Sequence, residues 1–202
     1  MKMFFAMTNA VFDAGISAWH FKRAYDYVRP VTAVHFLFTG QQVRAWAGPG
    51  LGTRLINGED WQPYQPLTVV TPPFAEYVSG HSIFSRSAAT VLTKFRGSLF
   101  FGGSVTIPAG QSRVEPGLVP AATMTLSWRT FKDAADEAGI SRRFGGIHFV
   151  DGDLQARKLG MKIGTHAWRK AVTYFNGTAG TPFDDSAKPH TEDDREEDDE
   201  GS

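Results

Sequence analysis

Three short segments carry side chains that could work on one anion. Lys22 is followed seven residues later by Arg29-Pro30, Ser79-Gly80-His81 precedes a run of helical spacing, and Ser141-Arg142 precedes His148 by a fixed interval. A tetrahedral oxyanion needs several cations, donors with fixed directions and a nitrogen able to bond its central atom. Arg29 and Arg142 offer planar forks that match paired oxygens, and Lys22 adds a point charge. The Ser79 hydroxyl and the Gly80 N–H stand where a helix begins, at the positive end of its peptide dipoles, and glycine lets an anion approach the backbone. His81 and His148 titrate near neutrality, so one can bond the central atom while the other moves protons. Singly, each has a plain explanation: solvated surface cations, an ordinary helix cap, structural histidines. Together they suit a pocket for vanadate or phosphate.

Composition agrees with an anionic ligand. The formal net charge of zero conceals an asymmetry, because residues 184–202 hold ten acidic side chains against Lys188 and Arg195. Residues 1–183 therefore keep 19 basic against 11 acidic side chains, a body of net +8. We read 1–183 as one oxyanion-binding catalytic domain and 184–202 as a disordered acidic tail with nothing to bury. The basic residues are scattered rather than clustered, so no nucleic-acid partner is expected. Cysteine is absent, which excludes disulfides, thiolate metal sites and thiol catalysis but leaves the compartment unknown. No run reaches the roughly 18 apolar residues of a membrane span. Thr8-Asn9 and Asp13 interrupt the opening apolar run, so no signal peptide is evident and a soluble protein is expected.

The elements that must position these residues read as helices joined by long ordered loops, an all-α bundle. The first helix spans 3–28, with Phe5, Val11, Phe12, Ile16, Trp19, Phe21, Tyr25 and Val28 as its apolar positions and Pro30 as its stop. Breakers crowd 40–75, which reads as one long loop. A second helix spans about 80–95, burying Ile83, Phe84, Ala88, Val91, Leu92 and Phe95. Residues 97–125 read as Gly/Pro-rich with short extended pieces. Ser127 reads as the cap of a helix closed by Gly139, and a last helix spans about 152–172 with Leu154, Leu159, Ile163, Ala167 and Ala171 inward.

The order and internal spacing of the three segments resemble the pattern shared by vanadium-dependent haloperoxidases and type 2 phosphatidic acid phosphatases. That pattern reads Lys-x6-Arg-Pro, Pro-Ser-Gly-His, Ser-Arg-x5-His-x3-Asp, against Lys22-x6-Arg29-Pro30, Val78-Ser79-Gly80-His81 and Ser141-Arg142-x5-His148 here. The likeness covers about residues 9–165. It implies that His148 bonds vanadium, that Lys22, Arg29, Ser79, Gly80 and Arg142 hold the oxyanion, and that His81 is the acid–base. Lys22 then also polarises peroxide. Val78 replaces a proline that only stiffens a turn. Gly152 stands where the closing carboxylate belongs, with Asp151 and Asp153 on either side as candidates to support His148; His35, just after the Arg-Pro turn, is a third supporting candidate. Glu76 reads as an ordinary charge partner, able to orient an arginine.

Trp19, one helical turn before Lys22, and Phe74, seven residues before His81, are similar to the aromatic wall of chloroperoxidase-like enzymes. The resemblance thus implies vanadate as cofactor, with hydrogen peroxide and halide as substrates and hypohalous acid as product. The alternative is a soluble acid phosphatase in which His148 attacks a phosphoester through a phosphohistidine. A second is an inactive or truncated oxyanion-binding relative. Only about 20 residues precede Lys22, where soluble haloperoxidases carry several more helices. That implies a piece of a longer protein, or a partner such as a second copy covering Phe4, Phe5, Phe12 and Phe21.

Overall fold

The first helix, α1 (Lys2–Tyr25), has no internal proline and ends in a residue few L-amino acids can supply. Asp26 takes a left-handed conformation, φ 42° and ψ 45°, and its N–H closes onto the Lys22 carbonyl. This computed structural model describes residues 1–68 and 71–180, so the acidic tail read at 184–202 lies outside the described residues. Pro30 does not stop α1. It begins α2 (Pro30–Leu37), in the first helical turn where a missing N–H costs nothing. The four residues between the helices reverse the chain and put Arg29 back beside Lys22.

The buried stripe of α1 differs from the apolar one read in the sequence. Ala6, Ala10, Ala14, Ala18 and Lys22, spaced by four, face inward, whereas Phe5, Phe12, Ile16, Trp19 and Tyr25 are exposed and Phe21 is half-buried. Close helix approach explains the inversion. α1, α3 (Gly80–Arg96) and α5 (Val150–Phe175) pack on one another through their smallest residues. A Cβ on Gly160 would stand 2.5 Å from the Ile83 carbonyl oxygen, and one on Gly164 2.6 Å from that of Ser87. Ser87 Oγ also donates to the Ala10 carbonyl at 3.0 Å, a bond between helices that bulkier contacts would hold apart. Small residues let the backbones touch, and dispersion over the whole seam replaces the burial of a few large rings.

α3 starts at the N-cap Ser79 and ends at Gly97 with φ 62°. It buries Ser82, Ile83, Arg86, Ser87, Ala89 and Val91, leaving Phe95 exposed. α4 (Phe131–Phe144) begins later than Ser127 because Thr130 and Asp133 form a reciprocal capping box. Gly139 does not close this helix but lies inside it, where a Cβ would collide with Asp153 Oδ1 and reach Arg157 Nε at 3.0 Å. α5 is longer than the sequence reading at both ends, and Leu154 faces solvent rather than the core.

Two antiparallel hairpins decorate this mostly helical fold. β1 (Gln42–Trp46) pairs with β2 (Thr53–Asn57) inside the stretch read as unbroken loop. The breakers Gly48-Pro49-Gly50 are its turn, closed by the Ala47 N–H on the Gly52 carbonyl at 2.9 Å. β3 (Phe100–Ile107) pairs with β4 (Met124–Thr130), which contains Ser127 and feeds directly into α4. No helix among the described residues is long and apolar enough to cross a membrane.

The seam makes a testable demand. Gly160→Val should lower unfolding free energy by about 1–3 kcal/mol or more, because a rigid backbone stands where its side chain would go. Urea denaturation followed by circular dichroism reads this directly. Gly180→Ala, with open space around the residue, should leave the midpoint unchanged.

Candidate oxyanion site

Lys22 ends the buried stripe of α1, so its ammonium is drawn inward with the alanines. Nζ donates to the carbonyls of Ala75 at 2.9 Å and Glu76 at 3.0 Å. Burial, and then the charge of Arg29, lower its pKa to about 8, against a smaller opposing pull from Glu76. Arg29 donates from Nε to the Phe74 carbonyl at 2.8 Å, from Nη1 to the Ile147 carbonyl at 2.8 Å and from Nη2 to the Ala75 carbonyl at 3.3 Å. Both cations also lie over the Phe74 ring, at 5.2 and 5.0 Å from its centroid. Trp19 meets the same ring at 4.9 Å. Segment 74–76 is thus stitched to α1 and to the α1–α2 turn by two cations.

His148 lies just before α5 and is buried. Its Nδ1 is 2.6 Å from Glu76 Oε1, which also accepts the Phe149 N–H at 3.1 Å. On the other side of the ring, Arg29 Nη1 is 3.1 Å from Nε2. A guanidinium only donates and a carboxylate only accepts, so the ring is neutral with its proton on Nδ1 and a lone pair on Nε2. Burial lowers the pKa of His148, with Arg29 and Lys22 acting in the same direction and Glu76 against it. The nitrogen that could bond a central atom therefore points into the cationic side of the pocket.

The start of α3 forms a second wall. Ser79 caps the helix by accepting the Ser82 N–H at 3.4 Å, and Ser82 Oγ stands 2.8 Å from Ser79 Oγ and 2.7 Å from Asp153 Oδ1. Ser82 has one proton for these two contacts; with it on the Asp153 carboxylate, the Ser79 hydroxyl donates to Ser82 Oγ and must turn to give its proton to a bound anion. Gly80 opens the helix, and its N–H has no acceptor within it. His81 follows at the rim, exposed on one side. Burial of the rest of its surroundings lowers its pKa, and Arg142 and then His148 push the same way. Arg142 reaches the cluster from the last turn of α4, its Nε donating to Ser141 Oγ at 3.1 Å. Burial lowers its pKa too.

The supporting candidates go elsewhere. Asp153 is buried, but it binds Arg157 through Nε at 2.8 Å and Nη2 at 2.6 Å besides Ser82, and Arg143 approaches it at 3.6 Å. Asp151 is exposed and accepts from Gln155 at 3.3 Å. His35 Nε2 is 2.7 Å from the Trp61 carbonyl, and the Trp61 ring in turn packs against Gly146, two residues before His148. The sequence reading missed the partner of His148, which is Glu76. Its one signal was a missing carboxylate at 152 together with an acid three residues before Ser79 that reads in sequence only as an ordinary charge partner.

Lys22 and Arg29 thus act on Glu76 and the His148 lone pair, and a third cation, Arg142, acts on His81. Among the described residues, no cluster of three or more His, Asp or Glu side chains could hold a metal cation. This donor set suits an oxyanion. The model of the family described as VCPO second helical-bundle domain matches residues 2–177. The chain belongs to this family. Its fold is similar to that of an apo-type bacterial vanadium-dependent chloroperoxidase, with TM-score 0.78 and 30% identity over 84% of this chain and 36% of that one. The holo-type chloroperoxidase gives TM-score 0.78 and 30% identity over 87% of this chain and 36% of that one. A bacterial vanadium-dependent iodoperoxidase is similar at TM-score 0.55 and 32% identity, over 82% of this chain and 32% of that one. Comparison with curated proteins gives no match. This VCPO domain therefore spans about a third of the length of the solved structures it resembles.

The site predicts a pH dependence. Lys22 is charged below its pKa of about 8 and loses that charge as pH rises through it, so affinity for an oxyanion must fall there. Tungstate, whose charge stays constant from pH 7 to 10, is the clean probe. Calorimetry should show its affinity dropping about tenfold or more between pH 7 and 10, the worth of one charged hydrogen bond. In Lys22→Met the profile should be flat and already weak.

Proposed function

We propose that this VCPO domain binds vanadate and supports the oxidation of halide by hydrogen peroxide, with uptake of one proton from solvent, to hypohalous acid and water. The observation that carries the reading is the His148 Nε2 lone pair beside Arg29 and Lys22, with Arg142 next to His81. Bound vanadate supplies an electrophilic centre at which hydrogen peroxide becomes reactive toward halide.

The protein does the rest. His148 would bond the vanadium through Nε2, while Lys22, Arg29, Arg142, the Ser79 hydroxyl and the Gly80 N–H would hold its oxygens. Arg29 spends most of its donors on carbonyls, so it contributes charge at a fixed place more than a free fork. His81, kept neutral by burial and by Arg142, can accept a proton from hydrogen peroxide at a ring nitrogen and return it to departing water. The Lys22 ammonium, with two of its protons on backbone carbonyls, can give the third to a peroxide oxygen and draw electron density from it. Trp19 and Phe74, in contact with each other and each open to solvent on one side, would offer the halide an apolar surface.

Bromination of a phenolic dye by the purified protein, with hydrogen peroxide and bromide, tests the reading. Turnover should depend on added orthovanadate and fall to background in His148→Ala. Arg142→Ala should weaken vanadate binding at least about tenfold. Hydrolysis of p-nitrophenyl phosphate without halide oxidation, lost in His148→Ala, would replace the proposal with a phosphatase.

A further inference from the structure

The family pattern puts a carboxylate at residue 152, and this chain has glycine there. The structure shows what fills the space. A Cβ at 152 would collide with Glu76 Oε1 and stand 2.8 Å from both Glu76 Cδ and Oε2. The Glu76 carboxylate thus occupies the volume into which a side chain at 152 would grow, and from there it binds His148 Nδ1 and the Phe149 N–H. Glu76 is held along its whole length. Its N–H donates to the Tyr27 carbonyl at 2.9 Å, its carbonyl accepts from Lys22, and its side chain is 1% exposed.

We propose that Glu76 is the positioning residue for His148, taking the part that the motif gives to residue 152, and that Gly152 is glycine to leave room for it. The proposal rests on the reading of His148 as the residue that bonds the oxyanion's central atom. A histidine ligand is oriented by whatever accepts its second N–H, and a carboxylate does so most firmly. The same residue carries the carbonyl that holds Lys22. Placement of the histidine and of the lysine is therefore coupled through one side chain and its own backbone. The exchange also predicts that the two positions are interchangeable only together, since two carboxylates cannot share that volume.

The experiment uses the full chain in four forms: parent, Glu76→Gln, Gly152→Asp and the double variant Glu76→Ala/Gly152→Asp. Nitrogen-15 NMR of labelled histidine, with the His148 signal assigned by its loss in His148→Ala, reads the tautomer without any oxyanion present. Calorimetry with tungstate reads affinity, and bromide oxidation is measured separately. Glu76→Gln keeps the volume and should fold, but an amide oxygen holds the Nδ1–H less firmly than a carboxylate, so the Nδ1–H preference should weaken and tungstate affinity should fall about tenfold. Gly152→Asp alone should be worse than the parent in both. The double variant should recover the tautomer and come within about threefold of the parent's affinity. An unchanged His148 tautomer and affinity in Glu76→Gln would overturn the proposal, as would a double variant no better than Glu76→Gln. If the tautomer and affinity respond as expected while the parent shows no bromide oxidation, the haloperoxidase reading fails and the role of Glu76 stands.

Discussion

Burying two cations side by side is the constraint that the rest of this structure answers. Lys22 and Arg29 are each nearly inaccessible, and burial lowers the pKa of both. Like charges so placed persist only if fixed dipoles replace the lost water. Here the dipoles are backbone carbonyls: Phe74, Ala75 and Glu76 from one segment, Ile147 from another. Those bonds fix the chain on either side of the pocket. The segment leading into Ser79-Gly80 and the turn leading into His148 are both held by the cations they help to shelter. Among the described residues, Glu76 is the acid whose charge acts on both Lys22 and Arg29, and its carboxylate is bonded to His148 rather than to a cation.

Helix packing supplies the frame. Because α1, α3 and α5 meet through alanine, glycine and serine, the N-terminal end of α3 and the start of α5 lie close together, joined by the Ser79 N–H on the Gly152 carbonyl at 2.9 Å. Below the pocket, Asp153 gathers Ser82, Arg157 and Arg143 in a buried network, and Asp136 ties Arg86 to Arg157 at 3.7 and 3.4 Å. Asp153 is met by more than one donor, which is how such a network repays its desolvation. Asp136 Oδ1 makes the two longer ion pairs, and burial raises its pKa. The large aromatic side chains of α1 are left on its outer face, where Phe4, Phe5, Phe12 and Ile16 are exposed.

Within the site, division of labour follows from environment. His148 is enclosed, neutral and fixed in one tautomer by donors and acceptors on opposite sides. His81 stands at the rim, with solvent on one side and Arg142 on the other. Two identical side chains therefore suit two different tasks, one bonding and one proton transfer. Phe74 has a double part, since it stacks against Trp19 and presents its face to both buried cations.

The sequence by itself was sufficient for whatever depends on local spacing. Lys22 and Arg29, seven residues apart across a helix end, Ser79-Gly80 as a helix start, and Arg142 and His148 across a turn could be read because each pair is placed by a few backbone torsions. The existence of α1, α3, α4 and α5 was legible for the same reason, whereas α2, which begins at the proline read as a stop, was not. Tertiary structure decided everything that depends on which surfaces meet. Hydrophobicity pointed the aromatic residues of α1 inward, but close approach to α3, where Ser87 Oγ donates to the Ala10 carbonyl, gave that place to the alanine stripe. Asp151 and Asp153 adjoin Gly152 in sequence, yet the carboxylate on His148 comes from Glu76, 72 residues away. A hydrogen bond is set by distance in space, and only the packing of α3 against α5 brings those two segments within 2.6 Å.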